Sequence, residues 1–75
     1  MAIMYELLDT STGNLVAIFE TEQEALASVR RTIVLQGRAA VRTLALGTVD
    51  EAGDGDQLVA GDTLIARAYA QVLQR

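Results

Sequence analysis

The absence of both cysteine and histidine is the feature that most limits what this 75-residue chain can fold into. Without them the chain forms no disulfide and lacks the commonest ligands of a structural metal. A domain below ~80 residues builds only a marginal core unless something else holds it together. The 51% apolar content predicts one compact domain over residues 1–75, with oligomerisation as the remaining source of stability.

The same absences exclude most catalytic chemistry. The chain has no Cys, His or Lys, so it offers no thiolate nucleophile, imidazole base or Schiff-base amine. Carboxylate pairs can perform acid–base chemistry, but a chain this short can hardly enclose a cleft in addition to a core. We therefore expect a protein that is not an enzyme and that binds no cofactor or metal.

Two segment types that would direct the chain to a membrane or out of the cell are not found. The first six residues show no basic leader followed by an apolar run. No apolar stretch approaches the ~20 residues that a membrane span requires. We expect a cytoplasmic protein, and the abundance of Ala with Arg in place of Lys is typical of a GC-rich bacterial genome.

Residues 3–9 and 15–20 predict a β-hairpin whose loop uses Gly13 in the left-handed conformation. With a four-residue loop, Leu7 faces Val16 and Tyr5 faces Ile18. A loop one residue longer would re-sort the second strand, since a one-residue slip exchanges the faces. In either register both faces of the hairpin are substantially apolar. With the shorter loop, the second face carries Met4, Glu6, Leu8, Leu15, Ala17 and Phe19.

The next segment predicts an amphipathic helix. Thr21 and Glu24 form a capping-box sequence, in which Thr21 is the N-cap and Glu24 reaches back to its amide. Gly37 is placed to end the helix in the left-handed conformation. Leu35 falls roughly opposite the core stripe. That stripe has helical spacing and consists of Ala25, Leu26, Val29 and Ile33.

The second half of the chain predicts a further hairpin and a second helix. Residues 41–49 form a strand, residues 50–56 a polar loop and residues 57–60 a short returning strand. Asp62 is the expected N-cap of a helix that ends at about Gln74. The predicted fold class is therefore α+β, in the order ββαββα, with both helices on one face of a mainly antiparallel sheet.

The acidic loop superficially suggests a calcium site. Asp50 starts it, but Ala52 occupies the third ligand position of an EF-hand loop, and neither the glycine nor the glutamate is in register. Asp and Gly are also the usual residues of a solvated hairpin turn. The sequence therefore favours a turn over a metal site.

The basic residues are concentrated in the middle of an acidic chain whose net charge is −4. Residues 25–49 contain no acidic residue, whereas residues 1–24 contain no basic one. This basic segment predicts either an anion or nucleic-acid contact or ionic pairing with the acidic flanks. Nucleic acid is disfavoured because the cluster is small and the remaining surface repels phosphate. The candidate anion contacts are Arg30, Arg31, Arg38 and Arg42.

The second apolar face of the hairpin suggests a protein partner, most simply a second copy in a twofold homodimer. Large contiguous apolar patches usually mark interaction sites. The alternative is that the two helices lie on opposite sides of the sheet and cover both faces. The candidate interface consists of Met4, Leu8, Leu15, Phe19 and Leu35.

Several short motifs resemble a recurring type of small actinobacterial hypothetical protein. The shared features are a strand–TGN–strand hairpin, a TxxEAL helix and a later LVAGDxL stretch. In this chain they correspond to residues 5–9 with 12–14, to residues 21–26 with 29–30, and to residues 58–64. The resemblance covers most of the chain, and no established activity accompanies it.

A fainter similarity links the hairpin and its TxxEA helix to the HicB-type antitoxin partner domain. This chain lacks the Gly/Pro-containing strand expected before that helix, and it has no added DNA-binding segment. The sequence thus predicts a non-enzymatic protein-interaction module that is homodimeric. The alternatives are a regulator that binds nucleic acid or another anion through the Arg cluster, and an antitoxin-like partner protein.

Overall fold

A computed structural model describes residues 3–73 and shows one four-stranded sheet with two helices. The element order is ββαββα, which confirms the predicted fold class. A 3₁₀ turn at Arg38–Ala40 follows the first helix. The main elements are β1 (Met4–Asp9), β2 (Leu15–Phe19), α1 (Glu22–Gln36), β3 (Leu44–Val49), β4 (Gly55–Ala60) and α2 (Gly61–Leu73).

The strands lie in the order β2-β1-β3-β4, and all neighbours are antiparallel. Each hairpin therefore forms one half of the sheet, and β1 and β3 join the halves at its centre. In this central pair Leu7 lies opposite Leu46, and Glu6 lies opposite Gly47. Because side chains alternate between the two faces of a strand, this register determines, for each residue of β1 and β3, on which face of the sheet its side chain lies.

Both helices cover the same face of the sheet, as predicted. A single cluster of buried side chains joins that face to α1 and α2. Tyr5, Phe19 and Val59 flank the cluster and are partly buried. The cluster contains Leu7, Ala25, Leu26, Val29, Ile33, Val41, Leu44, Leu46, Leu64, Ile65 and Ala68.

The register of the first hairpin differs from the one expected for a four-residue loop. Leu8 pairs with Leu15 near the turn, but Tyr5 pairs with Phe19 instead of Ile18. A β-bulge between these pairs leaves Val16 as the extra residue on β2. A bulge shifts all later residues of its strand by one position. The predicted place of Phe19 on the second face is therefore wrong.

The first helix is confirmed at both ends. The Glu24 amide donates to the Thr21 hydroxyl at 3.1 Å, so Thr21 is the N-cap. The Glu24 carboxylate accepts from the Thr21 hydroxyl, whereas the sequence placed it on the Thr21 amide. Gly37 ends the helix where predicted, and its amide donates to the Ile33 carbonyl. Its φ is positive at +89°, but its ψ of 165° places it outside the predicted left-handed helical conformation.

The third strand begins later than its sequence predicts. The segment before Leu44 is a 3₁₀ turn in which the Val41 amide donates to the Arg38 carbonyl at 3.0 Å. The Val41 side chain is fully buried in the core. Its apolar character therefore reflects a buried turn that lies outside the sheet. The fourth strand is longer than predicted, since it begins at Gly55.

The second helix begins at Gly61, which has φ +57°, so Asp62 lies in its first turn and not at its cap. Gln74, where the sequence ends this helix, is outside the described residues. In the described part of the chain, neither helix combines the length and the apolar character of a membrane span.

Candidate interaction surface

The face of the sheet opposite the helices carries several exposed apolar side chains. We call it the free sheet face. Its side chains alternate with the core residues Leu7, Leu44 and Leu46 along their strands. Leu15 and Ile18 are 50% and 48% exposed on it. The free sheet face consists of Met4, Glu6, Leu8, Leu15, Ile18, Ala45, Gly47, Val49, Gln57 and Ala60.

A shallow groove runs along the middle of this face, above β3. Its volume is ≈ 260 Å³. Glu6 and Leu8 of β1 line one side, and Gln57 of β4 lines the other. The floor is low at Ala45 and Gly47 of β3, which have little or no side chain, and Thr48 and Val49 of the same strand also line the groove. We call this feature the Gly47 groove.

The sheet itself requires glycine at position 47. A Cβ atom on Gly47 would lie 2.7 Å from the main-chain oxygen of Asp56 on β4, which is closer than real Cβ contacts. The neighbouring strand therefore prevents any side chain from filling the floor. The groove is a consequence of how closely β3 and β4 approach each other.

Glu6 is the one charged side chain of the free sheet face, and it lies at the centre of that face. It is half-buried, with Ile18 on one side and Gly47 on the other in the paired rows. Among the described residues, Glu6 forms no hydrogen bond or ion pair through its side chain. A carboxylate in such a position needs a hydrogen-bond donor if a partner covers the face.

The structure brings together only part of the candidate interface. Met4, Leu8 and Leu15 lie on the free sheet face. Phe19 packs against the core, and Leu35 is 73% exposed on α1, in the helix layer. Ile18, which the shorter-loop register placed on the other face, takes the place of Phe19. The register with a loop one residue longer, which was the alternative for this hairpin, places Ile18 on the same face as Glu6.

Two of the candidate anion contacts connect the helix layer internally. The Arg30 guanidinium donates to the main-chain carbonyl of Ala68 on α2 at 3.1 Å. The guanidinium carbon of Arg38 lies 5.7 Å from the centre of the Tyr69 ring, within the range of a cation–π contact. Both arginines therefore join the first half of the chain to α2.

The other two candidate anion contacts differ from each other. Arg42 pairs with Asp62 through an Nε–Oδ1 distance of 3.3 Å, and Arg31 is exposed on α1. Arg67, from the acidic C-terminal part, pairs with Glu22 at 2.6 Å. Among the four arginines of the basic segment, Arg42 is the one with a described ion pair to an acidic flank, as the pairing alternative predicts. Arg31 is the one member of the cluster without a described partner.

The acidic loop forms a hydrogen-bonded turn. The Asp50 carboxylate accepts from the amides of Ala52 and Asp54 at 2.9 and 3.0 Å, and Gly53 has φ +86°. This is the Asx-turn chemistry expected of a hairpin loop. Within residues 3–73, no group of three or more acidic side chains is arranged to hold a metal ion.

The loop of the first hairpin uses Asp9 in the same way. Its carboxylate accepts from the Ser11 hydroxyl at 2.6 Å and from the Ser11 amide at 2.9 Å. These hydrogen bonds favour the ionised form, with the hydroxyl contributing most, and they lower the pKa of Asp9 below its ordinary value of 3.8. The lowered pKa of Asp9 is therefore explained by hydrogen bonds within the turn.

Comparison of the chain with protein-family models, curated proteins and solved structures found no match.

Proposed function

We propose that the protein is a non-enzymatic interaction module that forms a homodimer through the free sheet face. The observation that carries this proposal is the position of both helices on the other face of the sheet. The molecule measures 34 × 32 × 17 Å, so the described structure is a thin two-layer plate. One broad side of this plate is an apolar sheet surface without a covering layer.

The free energy of association would come from apolar burial. Leu15 and Ile18 are about half exposed, and Met4 and Leu8 are partly exposed beside them. Burying apolar surface contributes roughly 25 cal/mol per Å², and small domains gain much from such additional burial. Sheets that stack face to face bury their inner faces in this way in β-sandwiches.

The arginine contacts make anion binding the weaker candidate. The guanidinium groups of Arg30 and Arg38 contact α2, and that of Arg42 pairs with Asp62, so fewer of them are free to bind an anion than the sequence suggested. An antitoxin-like role would use the same apolar face for a different protein. A monomer with a functional free sheet face would favour that alternative.

The mass in solution tests the proposal when it is measured by light scattering from micromolar to millimolar concentration. We expect the wild-type protein to have twice the monomer mass. Ile18→Glu places a charge in the apolar face and should give the monomer mass. Leu35→Glu is the matched control, because it adds the same charge on the helix layer and should leave the dimer intact.

A monomeric wild-type protein throughout this concentration range would contradict the proposal. A dimer that Leu35→Glu dissociates and Ile18→Glu preserves would also contradict it, because association would then use the helix layer. Circular dichroism of each variant checks that the fold is retained, so that loss of dimer is not mistaken for unfolding.

A further inference from the structure

We propose that the surface at the C-terminal end of α1 binds an acidic peptide segment of a partner protein, one that carries a large apolar side chain beside its carboxylates. We call this surface the α1 patch. The inference goes beyond the proposed function and does not depend on it, since the patch belongs to the helix layer and the dimer would use the free sheet face. The α1 patch consists of Arg30, Arg31, Val34, Leu35, Arg38 and Tyr69.

The apolar part of the patch is the pair Val34 and Leu35. Their side chains are 79% and 73% exposed, more than any other large apolar side chain of the described residues. Both lie outside the core cluster, so the packing of the fold does not account for them. Single exposed apolar residues are common on protein surfaces, so the weight of this pair comes from the charges that border it.

The helix places an arginine one turn before each of these apolar residues. Arg30 precedes Val34 by four positions, and Arg31 precedes Leu35 by the same distance. Side chains at this spacing are neighbours on the surface of a helix. Arg31 is exposed to solvent on α1. The apolar pair is therefore bordered by two basic side chains.

Contacts with α2 hold two guanidinium groups of the patch in place. That of Arg30 donates to the Ala68 carbonyl, and that of Arg38 lies over the Tyr69 ring. Because Ala68 and Tyr69 are consecutive, these contacts bring the two cations to the same part of α2. A guanidinium has five N–H donors. Arg30 uses one of them here and the cation–π contact of Arg38 uses none, so both groups keep donors for a carboxylate.

The positive charge of the patch is not neutralised by a described carboxylate. Within residues 3–73, the ion pairs involve other arginines, and residues 25–49 contain no acidic residue. Along the two helices, the acidic residues that come before the patch are Glu24 and Asp62. They lie about two turns, or about 10 Å, from Arg31 and Tyr69 respectively. Charge complementarity therefore favours a partner that supplies carboxylates.

An acidic peptide fits this surface better than a nucleic acid does. Val34 and Leu35 offer no contact that a phosphate backbone needs, whereas an apolar peptide side chain would bury them. Tyr69 is the one aromatic ring of the patch, and its contact with Arg38 competes with base stacking. A short peptide with apolar anchors and carboxylates one turn apart matches the arrangement on α1, as in other weak and transient interfaces.

Selection from a random peptide library displayed on phage tests the chemistry of the partner without presuming its sequence. We expect the selected peptides to combine Asp or Glu with large apolar residues, and to bind more weakly as the salt concentration rises. For such a peptide, Leu35→Ser should raise the dissociation constant about tenfold, and Arg31→Gln about fivefold. Arg42→Gln is the matched control, because it removes the same charge beside Asp62, away from the patch, and should have no effect.

Three results would overturn the inference. They are a selection that does not enrich acidic peptides, selected peptides whose binding Leu35→Ser and Arg31→Gln leave unchanged, and a single-stranded oligonucleotide that binds more tightly than the peptides and depends on Arg31. Circular dichroism of each variant checks that the fold is retained.

Ile18→Glu separates this inference from the proposed function. This variant should be monomeric and should bind the selected peptides as tightly as the wild type does. Loss of peptide binding in Ile18→Glu would place the peptide on the free sheet face and overturn the inference. A wild-type protein that is monomeric but binds acidic peptides through the α1 patch would overturn the proposed homodimer and leave the inference supported.

Discussion

The Arg30 guanidinium donates a 3.1 Å hydrogen bond to the main-chain carbonyl of Ala68, and this contact joins the middle of α1 to α2. The two residues are 38 positions apart. Arg67 makes a second connection between the same helices through Glu22. These two contacts therefore connect α1 with α2 in the helix layer.

Loss of the Arg30 contact should destabilise the fold. We expect Arg30→Ala to lower the free energy of unfolding by about 1–2 kcal/mol, because a half-buried hydrogen bond and the packing of the side-chain stem are lost. Urea denaturation at constant dimer concentration measures this change. Arg31→Ala is the control and should change stability by less than about 0.5 kcal/mol, since Arg31 is exposed. Equal losses in both variants would show that the contact with Ala68 contributes nothing.

The close approach of β3 and β4 predicts that Gly47 tolerates no side chain. Gly47→Ala forces a Cβ atom against the Asp56 main-chain oxygen, so we expect a loss of about 1–3 kcal/mol in thermal or urea unfolding. Gly53→Ala is a useful comparison. It has open space around its Cβ position but φ +86°, which should cost about 1 kcal/mol. A Gly47→Ala protein as stable as the wild type would refute the predicted steric conflict.

The Asp50 carboxylate should stabilise the second hairpin without any metal. Asp50→Ala removes two hydrogen bonds to main-chain amides and should cost about 1 kcal/mol. Asp54→Ala is the matched control, because the contacts of Asp54 in this turn are made by its main chain. Unfolding measured with calcium or with a chelator should give the same midpoint. A calcium-dependent midpoint would contradict the assignment of the loop as a hydrogen-bonded turn.

The Asp9 turn should contribute to stability in a pH-dependent way. The pKa of Asp9 is lower in the folded protein than its ordinary value of 3.8. Its contribution is therefore present above pH 3.8 and is lost as the pH falls through the lower, folded value. Removing the Ser11 hydroxyl should raise the folded pKa towards 3.8 and reduce this contribution.

An NMR titration of the Asp9 carboxyl carbon in the wild type and in Ser11→Ala measures this effect. Thr12→Ala is the control, because Thr12 accepts from the Asn14 amide and leaves the Ser11 hydroxyl in place. An unchanged Asp9 pKa in Ser11→Ala would show that the hydroxyl does not stabilise the carboxylate.

The parts of the fold that depend on local signals could be predicted from the sequence. Thr21 and Glu24 mark the start of α1, and Gly37 marks its end, because capping depends on residues within one turn. Similarly, Gly13 adopts φ +77° in the first hairpin loop, as its sequence predicts. These signals require no knowledge of distant contacts.

The remaining features depend on contacts that are distant in sequence. The bulge at Val16 determines that Phe19 faces the core. Valine is an ordinary strand residue, so the sequence contains no signal for a bulge at this position. Val41 has the composition of a strand residue but is buried in a 3₁₀ turn. The partner of Arg30 lies on another helix, so a pattern of charges along the chain could not separate an anion contact from an internal hydrogen bond.

The most direct test of the central claim is an isotope-filtered NOE experiment on a mixture of labelled and unlabelled protein, which detects contacts only between different copies. The proposed homodimer predicts intermolecular signals from the methyl groups of Leu8 and Ile18, and none from those of Val34 and Leu35. Intermolecular signals confined to Val34 and Leu35, or no such signals at millimolar concentration, would contradict association through the free sheet face.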